Sequence, residues 1–215
     1  MGAKTWMLVY STSSAREALA AKPELDRQAT IAVLATLFPG EKLELIEDGS
    51  LTFTSPPNSE IYAGCFRGVS VVAAKEFGGD YPSKLPAAFI DAGKGGLLHL
   101  HAMHSVVDWF AYAIWSRGEL QRSLSVAPDS GILEDIGEKL PFEVPFWEGE
   151  HPVSDCEDEA EAYPLPFHPL ELGEAALSEF FGYQLEGEQT NTMIDSDSIP
   201  LMRFKRQRAW WKVWK

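Results

Sequence analysis

Three histidines crowd one short stretch, His99-Leu100-His101-Ala102-Met103-His104. Neutral imidazoles two residues apart on a strand point the same way and can share a zinc ion. The offsets are those of an H-x-H-x-D-H zinc-hydrolase pattern, but Met103 stands where that pattern needs aspartate. A regular strand also turns His104 to the opposite face. A compensating ligand set would draw on Asp108, His151, Cys156 and His168, because every histidine lies between positions 99 and 168. The plainer reading places His99 and His101 on the polar face of a half-buried strand, bonded to their neighbours. There, with His104, Asp108, Trp109 and His168, they would form a candidate binding surface. The rival is a metal-dependent hydrolase centred on His99, His101 and His104, with His99 and His101 as candidate metal ligands.

Other chemistry is less complete. His104 and Asp108 would make an orienting pair for a general base if the backbone turned between them, with Ser105 or Ser130 as the nearest nucleophiles. The nucleophile elbow G-x-S-x-G is absent, since Gly68-Val69-Ser70-Val71-Val72 lacks its second glycine. Gly93-Lys94-Gly95-Gly96 has neither the upstream glycine nor the following hydroxyl residue of a P-loop, and reads as a turn into the next strand. Asp155, Glu157 and Glu159 begin like a calcium loop, yet Ala160 and Pro166 occupy its glycine and bidentate-acid positions. Cys65 reads as a small buried hydrophobe. Cys156 sits among Asp155, Glu157 and Asp158, whose charges disfavour a thiolate. No catalytic signature is complete, and no cofactor is implied.

The C-terminal stretch is different in kind. Residues 203–215 carry six basic and no acidic side chains, together with Phe204, Trp210, Trp211 and Trp214. At a helical period Lys205, Arg208, Lys212 and Lys215 gather within an arc of ~80°, the aromatic residues falling on the other side. As a strand, Trp210 and Trp211 would face opposite ways. The pattern predicts a basic amphipathic helix whose Arg206, Arg208, Trp210, Trp211, Lys212 and Trp214 engage an anionic membrane or a protein partner. The alternative is that the tail packs on its own chain.

The whole chain of 215 residues has a formal charge of −14, which opposes non-specific nucleic-acid binding. That charge is segregated. Residues 140–202 hold 15 acids and no Lys or Arg, whereas residues 1–139 hold 17 acids and 12 bases. The acidic block invites two ideas: neutralisation by the basic tail, or an immunity-type inhibitor whose acids mimic nucleic acid. The first ten residues lack the apolar run of a signal peptide. Residues 97–115 are apolar but contain Asp108 and three histidines, too costly for a membrane span. Two cysteines cannot build a disulfide framework. A soluble, cytoplasmic protein is expected, with no transmembrane segment.

The elements that must position these residues follow from pattern. Residues 5–10 read as a strand, and Ser14-Ala15-Arg16-Glu17 as a capping box. A helix over 24–38 carries Leu25, Ala29, Ala32, Val33, Thr36 and Leu37 on one stripe. Asp48-Gly49, Arg67-Gly68 and the segment 116–119 each predict a hairpin turn. A helix is expected over 83–92, and strand alternation over 97–103. Prolines and acids dominate 127–169, where regular structure is not expected. Glu171 to Phe181 reads as a helix closed by Gly182. The fold class is α+β: a mainly antiparallel sheet built from hairpins, with helices packed on one face. Residues 1–202 would form a single domain with an acidic irregular region around 140–170, followed by the tail.

Five blocks carry a family likeness: residues 2–11 (GAKTWMLVYS), 60–66 (EIYAGCF), 99–115 (HLHAMHSVVDWFAYAIW), 128–152 (PDSGILEDIGEKLPFEVPFWEGEHP) and 163–187. Together they resemble a bacterial family of proteins of unknown function, a likeness that covers most of residues 2–187. It implies a free-standing cytosolic bacterial protein. It transfers no catalytic or binding residue, and the Trp-rich end from about Arg206 is not part of it. The functional expectation is a non-catalytic binding or interaction module.

Overall fold

A computed structural model of the protein describes residues 2–153, 163–187, 190 and 192–207. Its strands are β1 (Lys4–Ser11), β2 (Leu43–Ser50), β3 (Glu60–Phe66), β4 (Val69–Ala73), β5 (Leu97–His104), β6 (Trp109–Ser116), β7 (Glu119–Ala127), β8 (Gly131–Ile136) and β9 (Pro200–Arg206). Its helices are α1 (Ala15–Ala20), α2 (Arg27–Leu37), α3 (Ala87–Ala92), α4 (Val144–Trp147) and α5 (Pro169–Phe181). The strands join in one sheet, ordered β2-β9-β3-β4-β1-β5-β6-β7-β8. Every pairing between named strands is antiparallel, so the chain has the expected α+β architecture.

Local chemistry explains the elements that sequence pattern had located. The Ser14 hydroxyl accepts from the Glu17 N–H and opens α1. Asp26 caps α2 by accepting from the Ala29 N–H at 2.9 Å. Gly182, at φ +80°, closes α5 in the left-handed conformation that costs glycine little. Gly68 at φ +83° turns β3 into β4, and Arg117-Gly118, both at positive φ, turn β6 into β7.

Both faces of the sheet are apolar, so both are covered. On one, Met7, Val9, Met103, Phe110 and Tyr112 meet α1, α4 and α5 through Leu19, Phe146, Leu172, Ala176 and Phe181. On the other, Leu8, Leu98, Leu100 and Ala102 meet α2 and α3 through Leu34, Leu37 and Phe89. The helices expected on one face therefore lie on two. Strand β1 shows the cause: Thr5 to Val9 are buried without a break, the signature of a strand covered on both sides.

Three further expectations are corrected. Asp48-Gly49 is not a turn but lies inside β2, where Asp48 pairs with Met202 and Gly49 with Leu201. A Cβ on Gly49 would stand 2.9 Å from Arg203 Cδ, so the glycine accommodates that crossing side chain. Residues 127–169 are not wholly irregular, since they supply the edge strand β8 and the short helix α4. The helix expected from Arg203 does not begin there: Arg203, Phe204, Lys205 and Arg206 belong to β9, seated between β2 and β3. Strand pairing uses the backbone and buries Phe204, which overrides the tail's helical charge pattern. Arg208, Trp210, Trp211, Lys212 and Trp214 lie outside the described residues.

Candidate functional site

A cavity lies on the α2/α3 face of the sheet. Its volume is about 360 Å³, and Tyr10, Ala32, Val33, Thr36, Leu37, Ser70 and Ala92 line it. That volume is within the range of small-molecule pockets. A second lobe of about 270 Å³ shares Tyr10, Ser70 and Ala92 with the first and continues along the strand ends past Ser11, Thr12, Gly93, Gly95 and Gly96. The two lobes form one groove, apolar at one end and rich in hydroxyl and backbone groups at the other.

Each wall has a physical reason to stand where it does. Tyr10 and Ser70 face each other across the β1–β4 pairing. The Tyr10 hydroxyl donates to the Phe89 carbonyl at 3.2 Å and so ties β1 to α3. Burial pushes that phenol well above its ordinary pKa, so it stays protonated. The N-terminal half of α2 is pinned to the end of β3: the Asp26 N–H donates to the Cys65 carbonyl at 2.8 Å, and the Cys65 N–H donates to Thr30 Oγ1 at 2.9 Å. The C-terminal half of α2 is left to form the groove wall. A Cβ on Gly93 would stand 3.3 Å from Tyr10 Cδ1, so a residue without one lets α3 end close against the tyrosine. The Ser11 hydroxyl, on a residue lining the second lobe, is buried without a hydrogen-bond partner. None of the residues lining either lobe carries a carboxylate, imidazole, amine or thiol.

The histidines expected to form a surface are placed elsewhere. His101 is fully buried beneath α5, its Nε2 donating to the Gly173 carbonyl at 3.0 Å and its Nδ1 accepting from the Thr5 hydroxyl at 2.7 Å. Both ring nitrogens are satisfied in the neutral form, and burial pushes its pKa down to about 4. His99 is also buried, 5.1 Å from Phe180 and 5.8 Å from Phe181 between ring centres. Its Nδ1 has no hydrogen-bond partner, and burial lowers it to about 4 as well. The face read as polar is thus a core face, sealed by the phenylalanines of α5. His104 turns to the other side, its ring 5.4 Å from that of Trp6.

Trp109 is buried too, donating from Nε1 to the Ser125 hydroxyl at 3.1 Å. His99, His101 and Trp109 therefore line no outer surface. Asp108, held at φ +48°, does not orient His104; it meets His168 instead, Oδ2 to Nε2 at 3.7 Å. His168 Nδ1 accepts from the Leu170 N–H at the start of α5, which directs its Nε2 toward that carboxylate. Among the described residues no group of three or more His, Cys, Asp or Glu is arranged to hold a metal ion. Cys156 lies outside the described residues.

One buried network had no sequence signal. Arg122 and Glu143, both without solvent exposure, pair through Nε–Oε1 at 2.9 Å and Nη2–Oε2 at 2.6 Å. The Tyr112 hydroxyl donates to the same carboxylate, and Asp135 takes the remaining side of the guanidinium. Burial alone would raise Glu143, but Arg122, the Leu140 N–H and Tyr112 hold it below the usual carboxylate range. The tail's first cations do not neutralise the acidic block either. Arg203 pairs with Glu47 and Glu60, and Arg206 with Glu41 and Glu76. Described acids of the block serve their own backbone: Glu174 accepts from the Leu185 and Glu186 N–H groups, and Asp195 from that of Asp197.

Residues 5–204 match a family of unknown function, DUF6928, over all but the two ends of the chain. The chain belongs to DUF6928. The match extends across the groove, the buried histidines and β9 as far as Phe204. No curated protein and no solved structure matches the chain. Among the described residues no helix is long and apolar enough to cross a membrane, and residues 97–115 form the paired strands β5 and β6.

Proposed function

We propose that this protein is a non-catalytic binding module that takes a small, neutral, amphipathic ligand in the groove between α2 and α3. The carrying observation is the cavity of about 360 Å³ walled by Tyr10, Val33, Leu37 and Ala92 and continuous with a lobe lined by Ser11, Thr12 and glycine backbone. An apolar ring or short aliphatic body fits the first lobe, where burial of apolar area supplies the affinity. A hydroxyl or carbonyl group then reaches the second lobe, where Ser and Thr oxygens and backbone groups fix its orientation. No charged side chain lines the groove, which favours an uncharged ligand.

Calorimetric titration with 2-naphthol as the probe tests this reading. The expected result is saturable binding at millimolar concentration or below, lost in Thr36→Phe and Ala92→Phe, both at exposed helical positions bordering the cavity. The reading is overturned if no saturable heat appears with the unaltered chain.

A further inference from the structure

Toward the start of β1, away from the groove, the same face of the sheet carries a second group of polar side chains. Lys4 faces His104 across the β1–β5 pairing, and His104 faces Trp109 across β5–β6. Tyr10, a wall of the groove, lies near the far end of β1, ~20 Å from Lys4 along the strand. Trp6, the next residue of β1 on this face, meets the His104 ring at 5.4 Å and carries the Lys75 ammonium 3.9 Å from its ring centre. The Val106 N–H donates to His104 Nδ1 at 3.2 Å, which leaves the ring proton on Nε2. Burial, and then the charges of Lys4 and Lys75, hold His104 below its ordinary pKa, so at neutral pH Nε2–H is an uncharged donor.

The nearby carboxylates are committed elsewhere. Glu76, beside Lys75 in sequence, pairs with Arg206. Glu186 accepts from the Ala3 N–H, and Ala3 packs in the core on the other face of the sheet. Asp108 turns to His168. Among the described residues no ion pair joins Lys4, Lys75 or His104 to a carboxylate. The chain has 32 acids and 18 bases, yet two ammonium groups act on one imidazole here with no carboxylate to balance them. An anion bound among them would offset their repulsion. We propose that Lys4, Lys75 and the His104 Nε2–H bind the phosphoryl group of a small molecule, at a site separate from the groove. Three donors from two strands and a turn match a tetrahedral oxyanion, which offers each its own oxygen, and ammonium groups suit phosphate as point charges. The strongly negative remainder of the chain opposes phosphate polymers and anionic membranes, which favours a ligand carrying one such group.

The test titrates inorganic phosphate into the full ¹⁵N-labelled chain at neutral pH, with sodium chloride of matched ionic strength as the reference. The His104 ring signals are assigned by their loss in His104→Gln. Phosphate should shift the His104 ring nitrogens and the Val106 amide along a saturating curve, with a dissociation constant on the order of millimolar. Lys4→Gln and Lys75→Met, the latter keeping an aliphatic chain over Trp6, should each weaken binding about threefold, and the double variant about tenfold. Lys139→Gln, whose ammonium lies over Trp147 on the other face, should leave it unchanged. Unaltered circular dichroism spectra show that the variants remain folded, and the phosphate–chloride comparison in the unaltered chain needs no variant. Shifts no larger than those chloride produces overturn the proposal. So do shifts that His168 shares equally with His104, or phosphate binding that the double variant retains in full.

Discussion

The Tyr10 hydroxyl reaches across the groove wall to the Phe89 carbonyl, fastening the central strand β1 to the short helix α3. Six residues cannot hold α3 together alone, because isolated helices of that length are marginal in water. Tyr10→Phe should therefore cost about 1 kcal/mol, the net worth of one such hydrogen bond. Urea unfolding monitored by circular dichroism measures the change. A variant as stable as the parent would show that the bond does not secure α3.

The Arg122–Glu143 pair is the most buried charge pair among the described residues. Removing one partner leaves the other charged and without solvent, so Glu143→Leu should cost about 3–5 kcal/mol. Combining it with Arg122→Met removes the stranded charge, and the double variant should recover most of that loss. Additive losses in the two single variants, measured by denaturant unfolding, would contradict a coupled pair.

Stability should fall as the pH is lowered from 6.5 toward 4. His99 and His101 are held near 4 in the folded chain, well below their ordinary value, so the unfolded chain takes up protons first. Their contribution is complete above about pH 6.5 and is lost as pH falls through about 4, on the order of 3 kcal/mol for each. Glu174 works in the opposite sense. Burial first, then the charge of Glu186, raise it to about 7 against the Leu185 and Glu186 N–H groups, so its contribution is complete below about 4.5 and is lost as pH rises through 7. Two groups outweigh one, and the net change between pH 6.5 and 4.5 is a loss. His99→Phe removes a buried nitrogen that has no partner. It should leave stability at pH 7 within about 1 kcal/mol of the parent and flatten the acid limb. An unchanged acid limb in that variant would contradict the assignment.

Gly173 marks the closest approach of α5 to the sheet, since a Cβ there would stand 2.8 Å from Met103 Sδ and 3.1 Å from Phe110. Gly173→Ala should cost about 1–3 kcal/mol through overpacking. It should also lengthen the His101–Gly173 hydrogen bond, visible as a shifted His101 ring resonance. A stability gain would show that the contact is loose.

Much of the architecture was legible because it is local. The Ser14 cap, the Gly182 stop and the Arg67-Gly68 turn each act within a few residues, whereas the Asp26 cap starts α2 at Arg27, three residues after the expected start. Asp48-Gly49 misled because its strand pairs with β9, about 150 residues away, and not with its neighbour. The alternation in β5 revealed which side chains share a face, but not that Phe180 and Phe181 cover it; His99 and His101 therefore read as polar-face residues when they are core. Asp108 and His168 were both singled out, yet their pairing depends on where the β5–β6 turn meets the start of α5. The groove had no signal at all. Tyr10, Val33, Ser70 and Ala92 come from four separate segments, and none belongs to a motif.

The most direct test of the ligand-binding reading maps 2-naphthol onto the ¹⁵N-labelled full chain. The account predicts saturable amide shifts at Val33, Thr36, Leu37, Ser70 and Ala92, abolished by Ala92→Phe. Shifts that fail to saturate, or that cluster on the His168–Asp108 side of the sheet and survive Ala92→Phe, would contradict it.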